Sequence, residues 1–365
     1  MLDRRALNRS LLERQLLLRR HEVSSIEAME HLVGLQAQAP DPPYVGLWTR
    51  LVGFRPGELS RMILDRRAVR IALMRNTVHL VTAEDCLKLR PLVQPIIGRN
   101  LYSGNAQRAA VKEIDAAELV AAGRALLEER PLTAKELGRL LRERWPDQDP
   151  AALARAIRNL VPLVQVPPRG VWGESGPAAH TTIEAWLGQR LDPDPSPDEM
   201  VMRYLGAFGP ASVKDAQTWS GLTRLREVFE RLRPRLRTFR DQGGTELFDV
   251  PEGPRPDPDV PAPVRFMAAF DNLILSHADR SRVIAAEHRK AIASKNGMVP
   301  ATFLVDGYVS GTWKVVRDRR EATLWISQFE PLPKQAREGL AEEGERLLNF
   351  MTDGAGDFAM RFIEP

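Results

Sequence analysis

Residues 212–250, SVKDAQTWSGLTRLREVFERLRPRLRTFRDQGGTELFDV, decide the fold. Ser212 with Asp215 three positions on is a capping box, in which each side chain satisfies a backbone amide left free at a helix start. The box opens a helix over VKDAQTWSGL. After Gly221 a second helix follows, TRLREVFERLR, and Gly243-Gly244 then turns a hairpin between RLRTFRD and TELFDV. Just upstream, DEMVMRYLGAF adds a leading helix. Helix, capped helix, helix and two-stranded ribbon is the winged-helix order.

The same order recurs twice nearer the N-terminus. From the start to about Val81, the helix ALNRSLLERQLLLRR precedes a Ser24–Glu27 box opening IEAMEHLVGL, then the helix GELSRMILDR and the strands AVRIALM and TVHLVT. From about Asp115 to Pro177, the helix AAELVAAGRALLEER precedes a Thr133–Glu136 box opening AKELGRLLRER. Asp149 then caps AALARAIRNL with Pro150 at the favoured first position, and LVQV and VWGE flank the turn PPRG. Beyond Val250 comes a proline-rich connector, PEGPRPDPDVPAP. VRFMAAF, LILS, SRVIAA, ATFLVDG, YVSGTWKVV and ATLWISQF then read as short strands of an antiparallel barrel or curved sheet, closed by the helix KQAREGLAEEGERLLNFM. The expected fold is α+β: three tandem winged-helix units followed by a small C-terminal β-barrel-like domain with a terminal helix. Its expected divisions are 1–112, 113–192, 193–250 and 251–365.

Composition narrows the function. The chain has 365 residues, a formal net charge of +4 and 43% hydrophobic residues. No apolar run approaches the roughly 20 residues of a membrane span, and the basic N-terminus lacks the apolar core and cleavage site of a signal peptide. One cysteine, Cys86, makes neither a disulfide nor a zinc site and fits a reducing compartment. The expectation is a cytoplasmic, nucleoid-associated monomer. Walker, dinucleotide-binding, HExxH and GxSxG signatures are absent, and the six histidines do not cluster, so neither a cofactor nor a metal is expected. Winged-helix units read DNA grooves in many proteins, but they also serve as protein-interaction modules or scaffold. Three in one chain, two with basic third helices, favour nucleic acid.

One segment points past binding: HLVGLQAQAPDPPYVGLW. Ile26, Met29 and Val33 form a core stripe, and Gln36 falls at its next position, where an unpaired buried amide costs about 1–3 kcal/mol. Pro40 biases Ala39 towards extended backbone. If the chain is already extended at Gln36, then Gln36 and Gln38 share a strand face. If it is still helical, they diverge, and the segment is a plain helix end with one solvated glutamine.

The segments LLERQLLLRR, GLQAQAP, MRNTVHLVTAEDCLKLRP, PPRGVWGESG, YLGAFGPASVKDAQTWSGL, DNLILSHADRSR and FLVDGYVSGTWKV together resemble the winged-helix DNA glycosylase family that includes the azinomycin-resistance enzyme AlkZ. The resemblance spans nearly the whole chain. It implies excision of N7-alkylated purines from double-stranded DNA, with unhooking of interstrand crosslinks among the family's activities. It also maps the family's catalytic Gln-x-Gln motif onto Gln36 and Gln38. One branch carries Asp at the second position; Gln38 here argues against a general base there.

The chemistry suits amides. A purine alkylated at N7 already carries positive charge and departs neutral, leaving an oxocarbenium-like sugar and a water to be held. A glutamine carbonyl takes up no proton near neutral pH, but it accepts a hydrogen bond from water, and its dipole can face the cation. Candidate DNA contacts are Arg75, Thr77 and His79 on the strand closing the first unit, Arg155 and Arg158 on the second unit's third helix, and Arg224 and Arg226 at the same place in the third. Gln242 at the hairpin tip and the basic run His277, Arg280 and Arg282 complete the set. His79 reads equally as a half-buried core residue. The alternative to a monofunctional glycosylase is a non-catalytic tandem winged-helix DNA-binding protein or transcription regulator, which has no evident need of Gln36 with Gln38.

Overall fold

The computed structural model describes residues 1–100, 114–292, 297–318, 321–354 and 356–365. The expected boundary between 112 and 113 lies outside them. All three capping boxes form as read, at Ser24–Glu27, Thr133–Glu136 and Ser212–Asp215. The first helix, Arg4–Arg14, starts at Asp3, whose carboxylate accepts the Ala6 N–H at 2.7 Å. It stops well before Arg20, because Leu16 takes φ 57° and turns the chain.

In the first segment, strand β1 (Leu35–Gln36) pairs antiparallel with β3 (Val78–Thr82), which pairs with β2 (Ala68–Ala72). The second contributes helices Ala116–Glu129, Ala134–Arg144 and Pro150–Leu160 with β4 (Leu132–Thr133), β5 (Leu163–Gln165) and β6 (Ala179–Thr182). The two do not stay separate. β2 pairs with β5, Arg70 opposite Gln165 and Ile71 opposite Val164, giving one six-stranded sheet in the order β1-β3-β2-β5-β6-β4. The third places helices Pro197–Phe208, Val213–Ser220 and Leu225–Leu232 before the ribbon of β7 (Arg237–Arg240) and β8 (Glu246–Asp249).

Several expectations are corrected. VWGE is not the partner of LVQV; that partner is β6. Residues 171–174 instead turn back onto the first segment, where the Trp172 N–H donates to Ser60 Oγ at 3.1 Å and the Trp172 ring sits 4.9 Å from Tyr44. PPYVGLW forms the helix Pro42–Trp48: proline in a first helical turn lacks an N–H where none is needed. LILS makes a 3₁₀ turn at Asn272–Ile274, and SRVIAA lies in turns.

Most consequentially, the C-terminal sheet is open. β9 (Arg265–Met267), β10 (Thr302–Val305), β11 (Tyr308–Arg317), β12 (Glu321–Gln328) and β13 (Asp357–Ile363) run in the order β13-β12-β11-β10-β9, with β9 and β13 as unjoined edges. There is no barrel. The helix Lys334–Thr352 does not end the chain, because β13 follows it and pairs parallel to β12.

Apolar packing shows how these parts cohere. The second segment carries its own core, including Leu119, Leu127, Leu137, Leu141, Leu153 and Ile157. The first does not: Trp48 and Phe54 pack on Phe350 of the C-terminal helix, while Val69, Ile71 and Val81 join Phe208, Trp219 and Leu273 in a second shared core. The Gln-Ala-Gln stretch lies where these cores adjoin.

Candidate active site

The helix Ser25–His31 ends in a double left-handed turn. Val33 takes φ 54° and Gly34 φ 87°, with the Gly34 N–H donating to Met29 O at 2.9 Å. A β-branched residue at positive φ is a strained outlier. Gly34 is obligatory, because a Cβ there would lie 2.5 Å from Val81 Cγ1. The turn lays Leu35 and Gln36 onto β3, with Gln36 opposite His79, and the Ala37 N–H donates to Val78 O at 2.7 Å. The backbone is therefore extended at Gln36, not helical. Gln36 is 7% exposed, whereas Gln38 beyond the strand end is exposed.

The amide orientations are set by partners that can only donate. Arg75 donates to Gln36 Oε1 at 2.7 Å, so this oxygen faces inwards. Among the described residues the Gln36 Nε2 has no hydrogen-bond partner, and it is not shut off from solvent. The Val78 N–H donates to Gln38 Oε1 at 3.1 Å. Each carbonyl keeps one lone pair. Gln36 borders a small recess shared with Gln15, Pro43, Arg50, Asp271 and Asn272.

A second arginine holds the loop's backbone. Arg70, 1% exposed, donates to Ala37 O at 2.8 Å and makes a longer contact to Ala39 O at 3.5 Å. Burial lowers its pKa to about 10, and it stays charged at neutral pH. Gly170 makes room, since a Cβ there would meet Arg70 Cδ at 2.4 Å. Sequence reasoning passed over Arg70, although a lone cation inside the apolar strand AVRIALM was the available signal.

The candidate DNA contacts divide. Three are corrected because they are buried: His79 at 0%, His277 at 1% and Arg282 at 5% exposed. His79 donates from Nδ1 to Thr77 O at 3.0 Å, His277 bonds from Nε2 to Phe208 O at 3.0 Å, and Arg282 donates to Pro210 O at 2.8 Å. Each tethers the interior. Arg75 is corrected in role: its guanidinium is spent on Gln36, Asn272 Oδ1 and Trp219 O. Burial, then the nearby Arg280, lowers its pKa to about 10. The Thr77 hydroxyl donates to Met74 O. Arg155, Arg158, Arg224 and Gln242 are exposed. Arg226 is exposed too, 3.6 Å from Glu230. Arg280 is half-buried, and desolvation followed by Arg289 lowers its pKa.

The buried histidines carry a stability signature. Burial lowers His79 to about 3 and His180 to about 4, with Arg75 and Arg158 next in effect; burial also lowers His277. All three are neutral in the fold and protonate more readily unfolded, so stability rises with pH across the window below about 6.5. The melting temperature should fall between pH 6.5 and 5, above the range where carboxylates titrate. A flat profile there would show that these rings become solvated in the native state.

Among the described residues no three His, Cys, Asp or Glu side chains gather to hold a metal, and no helix is long and apolar enough to cross a membrane. A family model described as DNA glycosylase AlkZ-like matches residues 29–350. An interstrand DNA cross-link repair glycosylase of Streptomyces sahachiroi is 25% identical over 354 residues, covering 90% of this chain and 91% of that one. The solved structure of Streptomyces sahachiroi DNA glycosylase AlkZ superposes with a TM-score of 0.75 at 20% identity, over 98% of this chain and 99% of the other.

Proposed function

The chain belongs to the AlkZ-like DNA glycosylase family, whose members hydrolyse N-glycosyl bonds, and from that premise we propose that it excises N7-alkylated purines through Gln36 and Gln38. The observation that carries this reading is the pair of oriented amides. Gln36 offers an outward N–H while its oxygen is held by Arg75, and Gln38 offers a free carbonyl lone pair while the Val78 N–H takes the other. One amide donates a hydrogen bond to a water oxygen and the other accepts one from the same water, which holds a water lone pair for attack on the sugar. The C1′–O bond replaces the broken C1′–N bond, and the water's surplus proton passes to solvent. Because the negative end of the Gln36 dipole is turned onto Arg75, stabilising the oxocarbenium-like sugar falls to Gln38. No carboxylate is needed, since the cationic base leaves neutral. Undamaged purines, which leave as anions, stay uncut.

The repair name of the Streptomyces relative extends the proposal to interstrand crosslinks, which present the same N7 cation. Three winged-helix units would grip double-stranded DNA through Arg155, Arg158, Arg224, Arg226 and Gln242, the enzyme acting as a monomer in the cytoplasm, at the nucleoid.

Incubation of the protein with a duplex oligonucleotide containing 7-methylguanine, followed by alkali, tests the activity; abasic sites are the expected product, and an intact strand would reject it. The rate should be nearly flat between about pH 6 and 8, since neither amide titrates and neighbouring His79 is already neutral. An acid-range inflection would point to a carboxylate base. Duplex affinity should fall linearly in log–log form with salt, and Arg155→Gln should lessen that slope by about 1. An unchanged slope would remove Arg155 from the phosphate contacts.

A further inference from the structure

We infer that Arg75 is the positioning residue of this site, fixing which end of the Gln36 amide faces the DNA and tying that choice to the docking of the third unit and the C-terminal segment. The inference rests on the amide reading above. A glutamine amide is nearly symmetric in shape, so its two orientations differ mainly in hydrogen bonding. Of the groups around Gln36, the structure gives its oxygen one partner, the Arg75 guanidinium at 2.7 Å. The same guanidinium donates to Asn272 Oδ1 at 3.2 Å and to Trp219 O. Trp219 lies in the last turn of the helix Val213–Ser220, whose carbonyls lack intrahelical partners and form the negative dipole end. Asn272 in turn faces Gly34 O, with Nδ2 3.4 Å away.

Three segments far apart in sequence thus converge on one planar fork, and the backbone is shaped for it. Arg75 and Asn76 take φ 56° and 57°, mirroring the left-handed pair before Gln36. Gly221 approaches so closely that a Cβ on it would sit 3.3 Å from the Arg75 backbone. A lysine would bring the charge but not five fixed donors. Its three N–H donors leave a single nitrogen, whereas Arg75 reaches Trp219 O from Nη1 and Gln36 and Asn272 from Nη2, so the lysine would hold Gln36 less firmly in one orientation.

The test is single-turnover excision from a duplex containing 7-methylguanine by Arg75→Lys, Gln36→Ala and the double variant, with affinity for undamaged duplex measured alongside. Arg75→Lys should slow excision by about tenfold or more while affinity holds. In the Gln36→Ala background the same change should add less than about twofold, because there is no amide left to orient. Methylguanidinium in the buffer should restore part of the rate to Arg75→Ala but none to Arg75→Ala/Gln36→Ala, a pattern that a purely structural role would not give. If the Arg75 variants fail to fold, Asn272→Ala should reproduce the non-additive pattern at smaller size. Additive losses, an unchanged Arg75→Lys rate, or a loss of affinity that matches the loss of rate would overturn the positioning role. A Gln36→Ala enzyme as fast as the parent would instead remove the amide reading itself.

Discussion

Replacing Gln36 with alanine is expected to slow single-turnover excision of 7-methylguanine at least about tenfold while affinity for duplex DNA holds. The loss follows from the outward N–H, which alanine lacks. It leaves the half-buried Arg75 without one of its acceptors, so some stability is lost as well. Gln36→Glu separates the two effects. A carboxylate of the same length pairs with Arg75 and keeps the fold, yet presents no donor to solvent. The glutamate variant should therefore melt no lower than the parent and be as slow as the alanine variant. A fast Gln36→Glu enzyme would show that the donor is dispensable.

The second large effect is on stability. Arg50 and Asp271 form a bidentate pair at 2.9 Å, with side chains only 1% and 4% exposed. The same guanidinium donates to Gln15 O and Gly46 O, and Asp271 also accepts the Leu273 N–H. The pair lies under the recess beside Gln36 and joins the N-terminal segment to the C-terminal one. Asp271→Ala would strand a buried guanidinium, which costs about 3–5 kcal/mol. Urea denaturation should show this as a large drop in midpoint. Glu338→Ala, which breaks the open Lys334–Glu338 contact at 3.7 Å, should leave the midpoint in place, as exposed pairs contribute little. An unmoved Asp271→Ala midpoint would mean that water reaches Arg50.

What could be read from the sequence was local. The Ser24, Thr133 and Ser212 boxes are three-residue hydrogen-bonding units and appear where expected. Whether the chain is extended or helical at Gln36 stayed open in the sequence, and the left-handed turn at Val33 and Gly34, which lays Gln36 on β3, decides it. The misses share a cause: they depend on partners far away in the chain. Whether ATLWISQF and its neighbours close into a barrel depends on the two edges meeting, and a late strand of seven residues, DFAMRFI, takes one edge instead. His277 and Arg282 looked like surface cations, and His79 read equally as contact or core, because polarity is visible in sequence and burial is not. Arg75 could not be told apart from a phosphate contact, since a guanidinium bound to Gln36 Oε1 and one bound to DNA are spelled the same way.

The junction of β2 with β5 has a mechanical consequence. Arg70 faces Gln165 and Ile71 faces Val164 across a shared ladder, so the strand that carries Gln36 and the strand that follows the arginine-bearing helix Pro150–Leu160 belong to one continuous sheet. On the proposed reading, a duplex seated on both would have to follow the curvature of that sheet, and the elastic energy of its distortion would become part of how a damaged site is told from an intact one.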